Sequence, residues 1–352
     1  VKFHDGSDFD AADVIYTLNH VKDPEFDSTG AAVIKMVDTI EAVDPFTVKM
    51  TLSAPYPDLG LALQDYRLRM IPEGSADTIS TTGIGTGPFM LDTYDPDGTT
   101  VLKANPDYWE GSPGVETVEI IAIVDANARV QALQTGQIDM LGWSDMTGES
   151  RLLFENNSDY KMLRVETGAW TGINFMTDAE PFTDPRVRKA LRIATDRQAL
   201  IDLILGPGNG TVACDQPVWT GDQYWTPIDC PQQIDEAKRL LAEAGYPDGI
   251  EFDINSSNIE SYFIPLAEAY QQQVAEAGIK ANIVVAPAEG YWSEVWLKLP
   301  TAQTRWGQNP ADKILNADFR STAAWNETRF NDPDFDALLD QAGQEPDFEK
   351  RK

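Results

Sequence analysis

The stretch that decides the fold is residues 181–191, with the sequence PFTDPRVRKAL. Asp184 is a residue type that caps helix N-termini, and Pro185 suits the first helical position, where no backbone N–H is needed. Three apolar side chains follow at the spacing of one helix face, which predicts a buried stripe. The stretch therefore predicts an amphipathic helix that packs on a core.

Helix and strand patterns alternate on both sides of this stretch. Further helices are predicted from Asp10, from Asp125, at 197–205, 234–244 and 259–277, and from Asp332 onwards. Strands are predicted at 40–43, 47–52, 89–94, 99–104, 118–124, 138–141, 252–255 and 280–285. This alternation is typical of an α/β protein.

The composition indicates a folded and strongly acidic protein. The 352 residues are 42% hydrophobic and 10% aromatic, and 57 Asp and Glu against 27 Lys and Arg give a net charge of −30. Such a field repels nucleic acid and anionic lipid, so neither is expected as a partner. We interpret the charge as favouring solubility rather than as attracting a cationic ligand, because exposed charge is screened by salt.

The chain contains neither a membrane-span pattern nor a catalytic motif. No apolar run approaches the roughly 18 residues of a membrane span, and no basic and apolar leader precedes the first strand. An export signal is therefore expected to have been removed or to lie outside this chain. His-Glu-x-x-His, Gly-x-Ser-x-Gly and P-loop motifs are absent from the sequence, and with 57 acidic residues close carboxylate pairs carry little information.

The two cysteines, Cys214 and Cys230, bracket a stretch rich in Pro, Asp, Gly and Trp. A metal site would need further Cys or His nearby, and the sequence has none there. The pair forms either a disulfide in an oxidising compartment or two unrelated thiols, and the spacing favours the disulfide.

Five motifs together carry a family resemblance. They are VKFHDG at 1–6, GTGPF at 85–89 with LKANPDYW at 102–109, the segment 127–139, PFTDPRVRKAL at 181–191 and EAKRLLAEAG at 236–245. In this order they resemble the family 5 extracellular solute-binding proteins, which serve oligopeptide, dipeptide and nickel ABC importers. Taken singly, most of these residues also have a structural interpretation, such as a turn or a helix start.

The resemblance implies an α/β, two-lobed periplasmic-binding-protein fold with a hinge and an extra small α+β subdomain. On this pattern, 1–83 form the subdomain, 84–168 form part of the first lobe and 169–352 form the second lobe. Relatives carry further strands before the first motif and a long stretch after the last helix. The chain is therefore expected to be truncated at both ends, since missing strands would leave sheet edges unpaired.

The resemblance also implies a function. The protein is expected to bind a small peptide-like or other polar solute between its lobes and to deliver it to an inner-membrane ABC permease. It would act outside the cytoplasm as a monomer, without catalysis or cofactor. Two alternatives stay open: a binding protein that serves a chemosensor or chaperone, and a hydrolase that uses paired carboxylates. Nickel and haem are disfavoured because the chain has only two histidines and no cysteine cluster.

The family pattern gives a set of candidate ligand residues. Concave ligand sites favour aromatic side chains as rigid walls, together with a few polar groups that orient the ligand. Each tryptophan has core packing as its alternative interpretation. Asn309 stands where related peptide binders often keep an Asp for the ligand's amino terminus, and an Asn cannot neutralise an ammonium group. The candidates are Trp143, Ser144, Trp170, Trp292, Arg305, Trp306, Asn309, Asp312, Trp325 and Asn326.

Overall fold

The computed structural model describes residues 1–26, 28–142, 148–155 and 157–352. The described chain divides into two compact units. The first unit comprises Val1–Val124 together with Gln341–Lys352, and the second comprises Asp125–Asp340. The division into 1–83, 84–168 and 169–352 that the resemblance implies stays a prediction.

The first unit is built around helix α1 (Ala11–Lys22), which packs on the antiparallel hairpin of β1 (Val37–Asp44) and β2 (Thr47–Leu52). The helix begins where the sequence predicts, because the Asp10 side chain accepts a hydrogen bond from the backbone of Ala12 in a capping box. The unit also contains short helices, a three-stranded antiparallel sheet and the last helix. These are α2 (Leu59–Ala62), α3 (Ile79–Thr82), β3 (Phe89–Thr93), β4 (Thr99–Ala104), β5 (Thr117–Ile121) and α12 (Phe348–Arg351).

The second unit alternates helices with two pairs of strands. Its helices are α4 (Ala126–Gln134), α5 (Gly148–Glu155), α6 (Pro185–Ile193), α7 (Arg197–Ile204), α8 (Ile234–Glu243), α9 (Phe263–Ala275), α10 (Ala311–Ile314) and most of α11 (Pro333–Gln344), whose last four residues belong to the first unit. Its strands are β6 (Trp170–Phe175), β7 (Ile250–Ser257), β8 (Ile279–Ala286) and β9 (Thr301–Trp306). Two π-helical turns, Tyr291–Val295 and Leu315–Phe319, follow β8 and α10.

The core of the second unit lies between the parallel strands β7 and β8 and the helices α6, α8 and α9. Helix α6 begins at Pro185 after the Asp184 cap, and its apolar stripe is fully buried, as predicted. The backbones just before β7 and β8 approach each other closely at Gly249 and Gly278. A Cβ at Gly249 would stand 1.9 Å from the carbonyl oxygen of Gly278, so only glycine fits.

One predicted strand is wrong. Residues 138–141 form no strand, because the backbone N–H groups of Gln137 and Ile138 both bond to the carbonyl of Ala132 and close a turn after α4. The side chain of Met140 is 79% exposed, so this short apolar run has no core to cover. In the described ranges, no helix has the length and apolar character of a membrane span.

Candidate functional site

Three tryptophans come together at one end of the β6–β9 ladder. The strands are antiparallel, and Trp170 at the start of β6 pairs in register with Trp306 at the end of β9. Their rings are stacked with centroids 6.3 Å apart, and the ring of Trp325 meets Trp306 at 5.7 Å with an interplanar angle of 62°. All three are partly buried. We call Trp170, Trp306 and Trp325 the aromatic face.

Strand β9 is held in place by buried polar groups rather than by apolar packing alone. Residues Thr301 to Thr304 are all buried. The hydroxyl of Tyr291 donates to the carbonyl of Gln303 at 2.8 Å and accepts from its N–H at 2.9 Å. The Asn255 amide donates to the carbonyl of Thr301 at 2.9 Å. Because these backbone groups are satisfied, the strand presents Trp306 from a fixed position.

A buried carboxylate, Glu327, lies behind the aromatic face. Its side chain is 3% exposed and accepts hydrogen bonds from the indole N–H groups of Trp296 and of Trp306, the latter at 3.3 Å. Burial raises its pKa, and these donors oppose the rise. The Thr304 hydroxyl and the Asn174 amide also favour its charged form, although neither atom reaches hydrogen-bonding geometry.

A second buried acid, Asp318, lies on the π-helical turn Leu315–Phe319. It is 1% exposed, and within the described part of the chain neither carboxyl oxygen has a hydrogen-bond partner. Burial first, and then the charge of Glu327, raises the pKa of Asp318 to about 9. The backbone N–H of Glu327 lowers this pKa in part but lies outside hydrogen-bonding geometry. Both oxygens of Glu327 accept indole N–H groups, an arrangement that favours the charged form of this residue, whereas among the described residues Asp318 has no such donors.

Arg305 and Trp292 belong to a neighbouring cluster. Arg305 forms an ion pair with Glu260, whose side chain is 6% exposed, and its guanidinium lies 5.9 Å from the centre of the Trp292 ring. Trp292 is partly buried and packs against Phe263 and Trp296, with ring centroids 6.3 Å and 5.7 Å away. Both predicted residues therefore already have partners within the chain.

Three further predicted residues, Asn309, Asp312 and Asn326, make hydrogen bonds within the chain. The Asn309 amide donates to the carbonyl of Gly307 at 2.9 Å, and Asp312 accepts from the amide of Asn316 at 3.2 Å. Asn326 closes a turn, since its amide donates to two carbonyls and its oxygen accepts from the N–H of Phe330. Trp143 and Ser144 lie outside the described residues. The ligand roles of all these residues stay predictions.

A disulfide joins Cys214 to Cys230, with Cα atoms 5.5 Å apart. The loop that it closes packs against the segments flanking the aromatic face. Asp222 accepts a hydrogen bond from the N–H of Ala311 at 3.0 Å, and the ring of Trp219 covers Gly168, where a Cβ would stand 2.3 Å away. The loop therefore supports the chain just before β6 and just after β9.

Sequence reasoning missed Glu327, Asp318 and Glu260. Each is one of 57 acidic residues, and no spacing distinguishes it from the others. Their one common property is burial, which arises from contacts distant along the chain: Glu260 meets Arg305, and Glu327 meets Trp296. The nearest local signal is the Trp-Asn-Glu sequence at 325–327, which sets Glu327 beside a predicted wall residue.

Comparison with known proteins identifies the family. The profile of bacterial extracellular solute-binding proteins, family 5 Middle, matches residues 1–326. The chain therefore belongs to this family, as the motifs predict.

Relatives and solved structures agree with this assignment and confirm the two-lobed binding-protein fold. The chain is 30% identical to the glutathione-binding protein GsiB of Salmonella paratyphi A over 348 residues, which are 94% of this chain but 66% of that protein. It resembles the binding protein AgaA from A. tumefaciens R10, solved with agropinic acid, with 27% identity and a TM-score of 0.81 over 99% of this chain and 73% of that one. NikZ from Campylobacter jejuni, solved with Ni(L-His), gives a TM-score of 0.86 at 22% identity over 100% of this chain and 74% of that one, which is a likeness of fold.

The site contains hydrogen-bonding groups and aromatic rings. Within residues 1–26, 28–142, 148–155 and 157–352, no three His, Cys, Asp or Glu side chains are arranged to hold a metal ion. The arrangement can bury flat or apolar ligand surface on the tryptophans and can place buried negative charge behind them.

Proposed function

We propose that this chain is the solute-capturing part of a binding protein that takes up a small organic solute and delivers it to an ABC permease. The solute is peptide-like or another small polar molecule. We propose further that the protein acts outside the cytoplasm as a monomer and that it catalyses no reaction.

The aromatic face is the observation that carries this proposal. Trp170 and Trp306 are partly exposed rings held by a β-ladder, Glu327 binds the indole N–H of Trp306, and Trp325 packs on Trp306. Rigid aromatic walls of this kind are typical of small-molecule sites. Family membership supports the transport role. GsiB is named for glutathione and AgaA was solved with agropinic acid, so their likeness supports the class of ligand rather than one compound.

The sensor and chaperone alternatives differ from transport in the partner rather than in the site. No described contact favours either of them. A hydrolase would need an acid and a base placed about one substrate, and the buried pair Asp318 and Glu327 lies behind the tryptophan rings instead. We therefore retain transport as the proposed role.

A thermal-shift screen with mixed solutes tests the proposal. The screen should include dipeptides, glutathione, amino acids, opine-like conjugates and small polar amines, because the ligand class is the open question. A ligand at 100 times its Kd stabilises the folded chain by about 2.7 kcal/mol, so real ligands should raise the unfolding temperature clearly. Incubation of each hit followed by mass analysis checks turnover. A converted substrate would refute the binding-protein role, and so would a panel without a single hit.

A further inference from the structure

The central ring of the aromatic face donates a hydrogen bond to a buried carboxylate. Glu327 accepts the indole N–H of Trp306 and also that of Trp296. An indole that donates its N–H to a carboxylate has a more electron-rich ring, and the attraction of a ring for a cation depends on that electron density. Trp306 is the central ring of the aromatic face, since it contacts both Trp170 and Trp325.

Unpartnered polar side chains surround the same carboxylate. Thr304 is fully buried and Asn174 is 9% exposed, and the Thr304 hydroxyl and the Asn174 amide nitrogen have no hydrogen-bond partner among the residues that the structure describes. Both groups interact with Glu327 without reaching bonding geometry. Asp318, 1% exposed, adds two further unpartnered oxygens. Leaving buried polar atoms unpaired costs about 1–3 kcal/mol each, so this cluster is an energetically costly feature of the region behind the rings.

The arginines on the adjoining segments are already neutralised. Arg305 pairs with Glu260, Arg320 with Asp340 at 2.7 Å, and Arg329 with Asp178 at 3.1 Å. These pairs leave the charge behind the rings negative, which disfavours an anionic group on the aromatic face and favours a cationic one. The protein already uses this chemistry once, where the Arg305 guanidinium lies over the ring of Trp292.

We propose that the aromatic face binds the cationic group of the solute, an ammonium, quaternary ammonium or guanidinium, and that Glu327 is the positioning residue that orients and polarises Trp306. This inference rests on the proposed function and deepens it by naming the chemical class.

The test compares cationic solutes with uncharged molecules of the same shape. The probes are choline against 3,3-dimethylbutan-1-ol, arginine against citrulline, and a dipeptide against its N-acetyl form, together with every hit of the solute screen and its uncharged analogue. Titration calorimetry on the intact chain should give at least about tenfold tighter binding for the cationic member of each pair that binds.

Three variants connect this selectivity to the site. In Trp306→Leu and in Glu327→Gln the preference for the cation should fall to less than about threefold, and Trp306→Phe should retain part of it because a ring without the N–H remains. Trp109→Leu is the matched control, because Trp109 is a 60% exposed tryptophan of the first unit. Circular dichroism shows whether each variant is folded. If Glu327→Gln does not fold, the binding of the cationic and uncharged probes to the wild-type chain still tests the cation preference.

The outcomes separate this inference from the proposed function. Hits that bind equally well without their cationic group overturn the cation site and leave the solute-binding role intact. Selectivity that survives in a folded Trp306→Leu variant also overturns it. An absence of binding to every probe and every screened solute overturns both proposals.

Discussion

Replacing Asp318 with asparagine should stabilise the protein near neutral pH. Asp318 is 1% exposed and has a pKa of about 9 in the folded state against 3.8 in its unperturbed form. Folding at pH 7 therefore requires the chain to take up a proton, which costs at most roughly 4 kcal/mol at about 1.4 kcal/mol per pH unit. Asparagine avoids that cost, so we expect a gain of about 1–4 kcal/mol.

The sign of the pH dependence provides a second readout. Because the folded state binds this proton more tightly than the unfolded state, the stabilisation is complete below the unfolded pKa and is lost as the pH rises towards 9. Urea unfolding at about pH 5 and about pH 8 should show a steeper loss for the wild type than for Asp318→Asn. Asp77→Asn, at an exposed aspartate of the first unit, is the control and should change the unfolding free energy by less than about 1 kcal/mol. An Asp318→Asn variant that is less stable at both pH values, or that keeps the wild-type slope, refutes the reasoning.

Three further perturbations test other parts of the structure. Cys214→Ser with Cys230→Ser removes a cross-link between residues 16 apart and should lower the urea unfolding free energy by about 3 kcal/mol; no loss would mean that the loop is held by other contacts. Arg305→Ala leaves the carboxylate of Glu260 buried without its cation and should lower the unfolding free energy by about 3 kcal/mol in thermal or urea unfolding. Most of this loss should be recovered in the double variant with Glu260→Gln, and additive losses in the double variant would contradict the coupling. Asn326→Ala removes hydrogen bonds to three backbone groups and should cost about 1–3 kcal/mol, while a neutral effect in urea unfolding would show that the turn forms without it.

The helix starts could be predicted because their causes are local. Asp10 and Asp184 each accept a hydrogen bond from a backbone N–H two residues ahead, and a short polar side chain before an apolar stripe is visible in the sequence. The prediction of a strand at 138–141 was wrong because strand formation depends on contacts that are not local. Its apolar residues match a strand pattern, but a strand needs a neighbour, and the neighbour is not encoded in the run itself.

The site could be predicted only in part. Trp170 and Trp306 were expected as ligand walls, and the β6–β9 ladder brings them together across more than a hundred residues. Nothing local distinguishes Glu327 from the other acidic residues, because its importance comes from burial and from the Trp296 and Trp306 donors. Burial of a charge is a tertiary property, and a single sequence with this many acids does not reveal it.

The central claim is that the aromatic face captures the solute. The most direct test is the Kd of the tightest screened solute for the wild-type chain and for Trp306→Leu, measured by titration calorimetry, with Trp109→Leu as control. We predict at least about a tenfold weaker Kd in Trp306→Leu, a wild-type Kd in Trp109→Leu and circular dichroism spectra that overlay. An unchanged Kd in a folded Trp306→Leu variant would contradict the account.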